Sequence, residues 1–345
     1  MLKTILVPLD GSTRAEAALP VAVRIAHNTG GTLVLARVVS LATENWPAIT
    51  APFPGIAEPV ITGELAEASS YLEGVAASEE MAGIQVETAT RFGPAASTIL
   101  AIATSCKADL IVMCSRGYTG MAHHLMGSTA ERIARHAPVP VLILRDGDMH
   151  AGVSLCESDR PLRVLVPLDG TAYAEASLEP TAALLSALAT PERRIVIHLA
   201  RVIKPPAPAD LEEEEYTARC SADLADAKQC LVQTVERVLA SELAPTVMQR
   251  HIPVNWMVAM DTDVAGAIVR LAENEEDEEG TGAPGKCNMI SLSTHGREGV
   301  QLWTLGSVTE RVLHVTRIPV LVVRPGAAQG THKTETLLEN VHPTV

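Results

Sequence analysis

Residues 109–131 read DLIVMCSRGYTGMAHHLMGSTAE, and residues 288–310 read NMISLSTHGREGVQLWTLGSVTE. In the first, Asp109 to Cys114 is a short apolar run of the kind a parallel strand buried on both faces requires. Gly117, Gly120 and Gly127 then punctuate a loop. Ser128 with Glu131 has capping-box spacing, so a helix is expected to start at Ser128. A strand that feeds a glycine loop and then a helix N-terminus gathers backbone N–H groups at the positive end of a helix dipole, which favours an anion. The second stretch repeats this with Gly296, Gly299, Gly306, Ser307 and Glu310 in the equivalent places.

The repeat extends in both directions. Lys3 to Pro8 forms a strand that ends in Leu9, Asp10 and Gly11, and Thr13 with Glu16 has capping-box spacing for a helix to about His27. Leu162 to Pro167, with Leu168, Asp169 and Gly170, restates it. Thr32 to Val39 and Ile195 to Ile203 are second strands sharing an Ala-Arg-Val triplet, at Ala36 to Val38 and Ala200 to Val202. Residues 40–60 read as a Pro-rich surface loop. A helix follows over 62–81, then a strand over 84–90 and a helix from Pro94 to about Ser105. After the glycine loop come the helix to about His136 and a fifth strand, Val139 to Leu144, matched by Ile318 to Val323. The second copy is longer, chiefly around Glu273 to Gly285 and around the Glu212 to Glu215 run; both acidic runs are expected to be solvated insertions.

Strands alternating with helices imply parallel sheets wound through right-handed crossovers. The expected fold is therefore α/β: two doubly wound, Rossmann-like parallel five-stranded sheets in tandem. The first domain spans residues 1–146, a polar linker 147–160, the second domain 161–325, and a disordered tail 326–345. Ligands of such sheets sit at the carboxyl ends of strands where the winding reverses. That brings Asp10 to face the loop after Cys114, and Asp169 to face the loop after Ser293.

Composition narrows the partners. The 345-residue chain has 47% apolar residues, enough for two cores, and a net charge of −14 from 41 acidic and 27 basic residues. Without a basic cluster, nucleic acid and anionic membrane are disfavoured as partners. The six cysteines show no CxxC pair or metal-ligand spacing and read as reduced thiols, and no apolar run approaches 18 residues, so the reading expects a cytoplasmic protein. Adjacent His123 and His124 point apart and make a poor metal pair. Gly280 to Cys287 (GTGAPGKC) resembles a P-loop, but it leads into a strand rather than a helix, and Cys stands where the magnesium-binding hydroxyl belongs.

Each half resembles a universal stress protein domain, and the chain resembles a tandem universal stress protein over nearly all of residues 1–325. The family's motif, Gly-x2-Gly-x9-Gly-Ser/Thr, appears as Cys114-x2-Gly117-x9-Gly127-Ser128 and Ser293-x2-Gly296-x9-Gly306-Ser307. The first glycine is replaced in both copies by a small residue, which weakens rather than excludes ATP binding. The resemblance implies strand order 3-2-1-4-5 and ATP, ADP or AMP as ligand, with Mg2+ held through the phosphates. In the first half it implies contacts from Pro8, Leu9, Asp10, Val38, Cys114, Arg116, Gly117, Gly120, Gly127, Ser128 and Thr129. The second-half set is Pro167, Leu168, Asp169, Val202, Ser293, His295, Gly296, Gly299, Gly306, Ser307 and Val308. Structural readings stand beside these. Ser128 and Ser307 can be helix caps, Asp10 and Asp169 can merely fix a turn, and Arg116 and His295 can be ordinary loop residues.

Three functions follow: a nucleotide-binding stress-response or regulatory protein, which leads; a weak ATP-hydrolysing enzyme; or a partner-binding module with vestigial sites. No constellation of nucleophile and base stands beside both glycine loops, which weighs against the enzyme. Members with one domain commonly pair through their fifth strands. Pairing Val139 to Leu144 with Ile318 to Val323 inside one chain would satisfy both edges, giving an intramolecular pseudo-dimer and leaving another surface for any homodimer.

Overall fold

Both apolar fifth strands find each other, and this joins the two halves into one sheet. The computed structural model describes residues 2–40, 54–115, 126–145, 155–156, 160–207, 212–274, 285–294 and 305–325. The first half runs β1 (Thr4–Leu9), α1 (Thr13–Glu16), α2 (Leu19–Thr29), β2 (Thr32–Val39), α3 (Pro54–Ala76), β3 (Gln85–Phe92), α4 (Ala95–Ser105), β4 (Leu110–Cys114), α5 (Ser128–His136) and β5 (Val141–Leu144). The second runs β6 (Leu162–Pro167), α6 (Ala172–Glu175), α7 (Leu178–Leu188), β7 (Ile195–Ile203), α8 (Glu213–Leu239), α9 (Pro245–Gln249), β8 (Val254–Met260), α10 (Val264–Glu273), β9 (Met289–Ser293), α11 (Ser307–Val315) and β10 (Val320–Val323).

The ten strands lie in the order β3-β2-β1-β4-β5-β10-β9-β6-β7-β8, so each half has the expected 3-2-1-4-5 winding. Every pairing is parallel except the central one, where β5 and β10 run antiparallel with Leu142 opposite Leu321. All eight residues of these two strands are buried. The intramolecular pairing expected from the sequence is thus present.

Helices cover both faces. One core cluster draws on α2 and α7 and the other on α4, α5, α10 and α11; each contains residues of both halves. Across the seam α2 packs on α7, and Asn28 Nδ2 donates to Ala187 O at 2.8 Å. The linker takes part in this contact. Leu155 is fully buried in the first cluster, its carbonyl accepting from Arg193 Nη1, while Arg24 Nη2 donates to Cys156 O at 3.0 Å. A segment read as a polar spacer therefore also supplies an apolar plug.

Several local expectations change. The helix after β1 is broken into α1 and α2 because Pro20 lacks an N–H and its ring would collide with the Glu16 carbonyl of a continuous helix. Ser12 caps α1 in place of Thr13, accepting from Ala15 N at 3.2 Å, and Glu16 instead accepts from Tyr71 Oη at 2.6 Å. The helix expected over 62–81 spans Pro54–Ala76 followed by a 3-10 turn at Glu79–Met81. Its early start was hidden by Pro54, which is harmless at the first helical position, and by Pro59 inside it. Pro94 stands one residue earlier than expected, as the N-cap of α4, and β5 begins at Val141 because Pro140 has no N–H to give a ladder. The Glu212 to Glu215 run is solvated as expected, and Glu213 to Glu215 form the exposed first turn of α8, where their charge complements the helix dipole. The Pro-rich segment 41–53, the acidic residues 275–284, His123, His124 and the tail 326–345 lie outside the described residues.

Candidate functional site

β1 lies against β4, and β6 against β9, so the turn after each first strand stands beside the end of each fourth strand. The turns are built alike. Asp10 Oδ1 accepts from Ser12 N at 2.9 Å and Ser12 Oγ at 2.6 Å; Asp169 Oδ1 accepts from Thr171 N at 2.9 Å and Thr171 Oγ1 at 2.6 Å. Between them Gly11 and Gly170 have φ of +86° and +85°, the left-handed region that glycine enters without strain. The turn-fixing role of both aspartates is therefore present.

Opposite each turn a helix starts. Gly127 and Gly306 are the N-caps of α5 and α11, with extended dihedrals (φ −67° and −60°), and no side chain caps either helix. This corrects the capping-box reading. The helices do start at Ser128 and Ser307, but both serines are exposed at the first helical position and the N-cap falls to the preceding glycine, whose amide donates to Ser115 O or Thr294 O at 2.8 Å. Glu131 turns to Arg135 at 2.9 Å instead of reaching back. The second half is tied more firmly, since Thr309 Oγ1 also donates to Ser293 O at 2.8 Å, where the first half has Ala130.

The other expected positions divide. Pro8 and Leu9, and Pro167 and Leu168, end or follow the first strands. Val38 and Val202 lie near the ends of β2 and β7, with side chains against the second core cluster, and Val308 packs there too. Cys114 packs against the first cluster and Ser293 is buried at the end of β9. Thr129 is half-buried in the first turn of α5. Arg116, Gly117, Gly120, His295, Gly296 and Gly299 lie outside the described residues. Gly285 to Cys287 lead into β9, as the rejection of the P-loop requires. Cys287 is 1% exposed, and burial pushes its thiol up to about 12. It is expected to resist an aromatic disulfide reagent at pH 8 until the protein unfolds, then react at once; thiol counting by mass spectrometry before and after denaturant checks this.

Sequence reading passed over one residue in each half, Arg37 and Arg201, the middle of the shared triplet. Arg37 lies over the Tyr71 ring, 4.9 Å from its centroid. Burial and then the hydrogen bond to Glu16 push the Tyr71 phenol up, so it stays a neutral donor. Arg201 is 8% exposed. A Cβ on Gly170 would stand 3.0 Å from Arg201 Nη1 and 3.2 Å from Cys230 Sγ, which places the guanidinium against the Asp169 turn. Arg37 takes the equivalent place in the first half, its Nη2 3.3 Å from a Cβ on Gly11, so a guanidinium stands at each Asp-Gly turn. The repetition of Ala-Arg-Val at a strand end was the signal that marked it.

A doubly wound sheet with a rigid Asp-Gly turn facing a glycine-started helix, twice over, defines a class of fold with two equivalent crevices. The family model of the universal stress protein family matches residues 1–145 and 162–324, and the chain belongs to that family. It is 27% identical over 329 residues to a universal stress protein of Mycolicibacterium smegmatis, covering 93% of this chain and 97% of that one. A universal stress protein of Methanocaldococcus jannaschii is 32% identical over 145 residues, 42% of this chain and 83% of that one. The crystal structure of a universal stress protein from Archaeoglobus fulgidus, at 21% identity, has a TM-score of 0.61 with 94% of this chain and all of that chain covered, which establishes the fold. No helix among the described residues is long and apolar enough to cross a membrane.

Proposed function

We propose that the chain is a cytoplasmic stress-response or regulatory protein that binds adenine nucleotide, ATP, ADP or AMP, in both crevices and reads its presence rather than turning it over. One observation carries this: in each half a helix N-terminus without a side-chain cap faces a fixed Asp-Gly turn at the winding reversal. The amides at the start of α5 and α11 would hold the phosphates, with Mg2+ on the phosphate oxygens. The ends of β1 and β2, or β6 and β7, would receive the nucleoside. The six cysteines are free, in keeping with a reducing compartment.

Arg201 favours the second crevice as the tighter one, because its buried guanidinium adds positive charge beside the Asp169 turn, where an anionic ligand would feel it. Calorimetry with ADP is expected to give two sites. Arg201→Met should weaken the tighter one by roughly tenfold or more, because it removes the buried positive charge beside the turn. No binding of ATP or ADP up to millimolar concentration would overturn the reading, and rapid phosphate release from ATP would shift it to an enzyme.

A further inference from the structure

Among the described residues the sheet ends at β3 and β8 and no strand lies beyond β3, whose sequence is Gln85, Val86, Glu87, Thr88, Ala89, Thr90, Arg91, Phe92. Five of these eight residues are exposed, including Glu87, Arg91 and Phe92, the last at 38%. The inner side of the strand is fixed by β2, and just beyond it Gly93 N donates to Val39 O at 3.0 Å. By the two-residue alternation of a strand, the N–H and C=O groups of Val86, Thr88, Thr90 and Phe92 point away from the sheet. An edge of this kind is a template for another strand.

The sequence is complementary to itself about Ala89. If a second β3 is laid antiparallel with Ala89 opposite Ala89, Thr88 meets Thr90, Glu87 meets Arg91 and Val86 meets Phe92, each twice by symmetry. The outward-facing residues then form the hydrogen-bonded pairs, four of them with two backbone bonds each. Opposite residues share a face, so the two Glu87–Arg91 pairs flank Ala89 on one side and the Val86–Phe92 and Thr88–Thr90 pairs lie on the other. In the single chain Arg91 Nη1 donates to Thr90 O at 2.9 Å, an outward carbonyl, and Glu87 has no ion pair among the described residues. Pairing would give each a carboxylate or guanidinium partner.

We infer that two copies of this chain associate through antiparallel pairing of β3 with β3, in the register set by Ala89, extending the sheet across a twofold axis. The contact is isologous and closes as a dimer, whereas β3 against β8 would be head-to-tail and would grow into filaments. β8 (Val254–Met260) contains no charged residue and offers no comparable self-pairing.

Sedimentation equilibrium of the full chain tests this. The unaltered protein is expected to be a dimer. Glu87→Arg alone and Arg91→Glu alone should each weaken it by roughly tenfold or more, because each substitution sets like charges opposite one another twice. Carrying both substitutions should restore the dimer. Thr88→Pro removes an outward N–H without touching the pairing to β2, so it should give a monomer whose melting temperature, extrapolated to low protein concentration, matches the parent. A monomeric parent, a dimer unmoved by the single substitutions, or a double variant that stays monomeric would each overturn the inference.

Discussion

Residues 1–145 expressed without the second half will not persist as a folded monomer. In the intact chain the side chains of Val141, Leu142, Ile143 and Leu144 are at most 2% exposed, and β5 is shielded on one side only by β10. Removing β10 turns β5 into an apolar edge, and removing α7 uncovers α2 and its share of the first core cluster. Burying each such side chain contributes roughly 1.5–3 kcal/mol, so losing half of that at four positions alone costs about 3–6 kcal/mol, against a total of roughly 5–15 kcal/mol for a typical protein. The half-chain is expected to self-associate or aggregate in light scattering measured after size exclusion. The same continuity predicts that the full chain unfolds in one calorimetric transition, despite being a tandem repeat. Two well-separated transitions would show that the halves are independent.

The second large effect is expected at Gly306. Its φ of −60° is open to any residue, and an added Cβ would meet only Thr294 O, at 3.4 Å, an ordinary contact. Gly306→Val in the full chain should therefore cost only about 1 kcal/mol, the scale of an N-cap change. Its isopropyl group, however, would occupy the approach to the first amides of α11, where phosphate must come close. Calorimetry with ADP should lose the tighter of two sites, with affinity there down by roughly a hundredfold or more, and keep the weaker one; Gly127→Val should do the converse. Unchanged stoichiometry and affinity would remove the helix start from the binding site.

The sequence was most legible where its constraints are backbone constraints. Buried parallel strands leave mostly apolar, β-branched runs, so β2, β6 and β7 fell within the expected limits, and the positive φ of Gly11 and Gly170 showed as an Asp-Gly pair in both halves. The edge pairing of β5 and β10 was legible because an apolar strand must find a partner. What stayed hidden depended on competition between nearby groups. Ser128 and Ser307 have capping chemistry, yet the ties of Gly127 to Ser115 and of Gly306 to Thr294 give the N-cap place to the glycines. Pro20 splits a helix whose polar pattern reads as continuous, and Pro54 and Pro59 conceal the start of α3. Arg37 and Arg201 look identical in sequence; only folding puts Tyr71 beneath the first and sets Cys230 close to the second. Leu155 sits among charged, glycine and serine residues, too short an apolar stretch to mark it as core.

The single antiparallel seam has a consequence for signalling geometry. Strands β1 to β5 all point one way and β6 to β10 the other, so the carboxyl ends that carry Asp10 and Gly127 open on one rim of the sheet, and those carrying Asp169 and Gly306 open on the opposite rim. From β4 to β9 is three strand spacings, about 14 Å, and the length of a strand adds a comparable distance. Two bound nucleotides would never touch, nor could one small effector domain cap both. The molecule is laid out as a two-ended connector: each rim can present its own occupied or empty state to a different neighbour. Communication between the ends has two routes, the four buried residues on each side of the seam and the contact of α2 with α7.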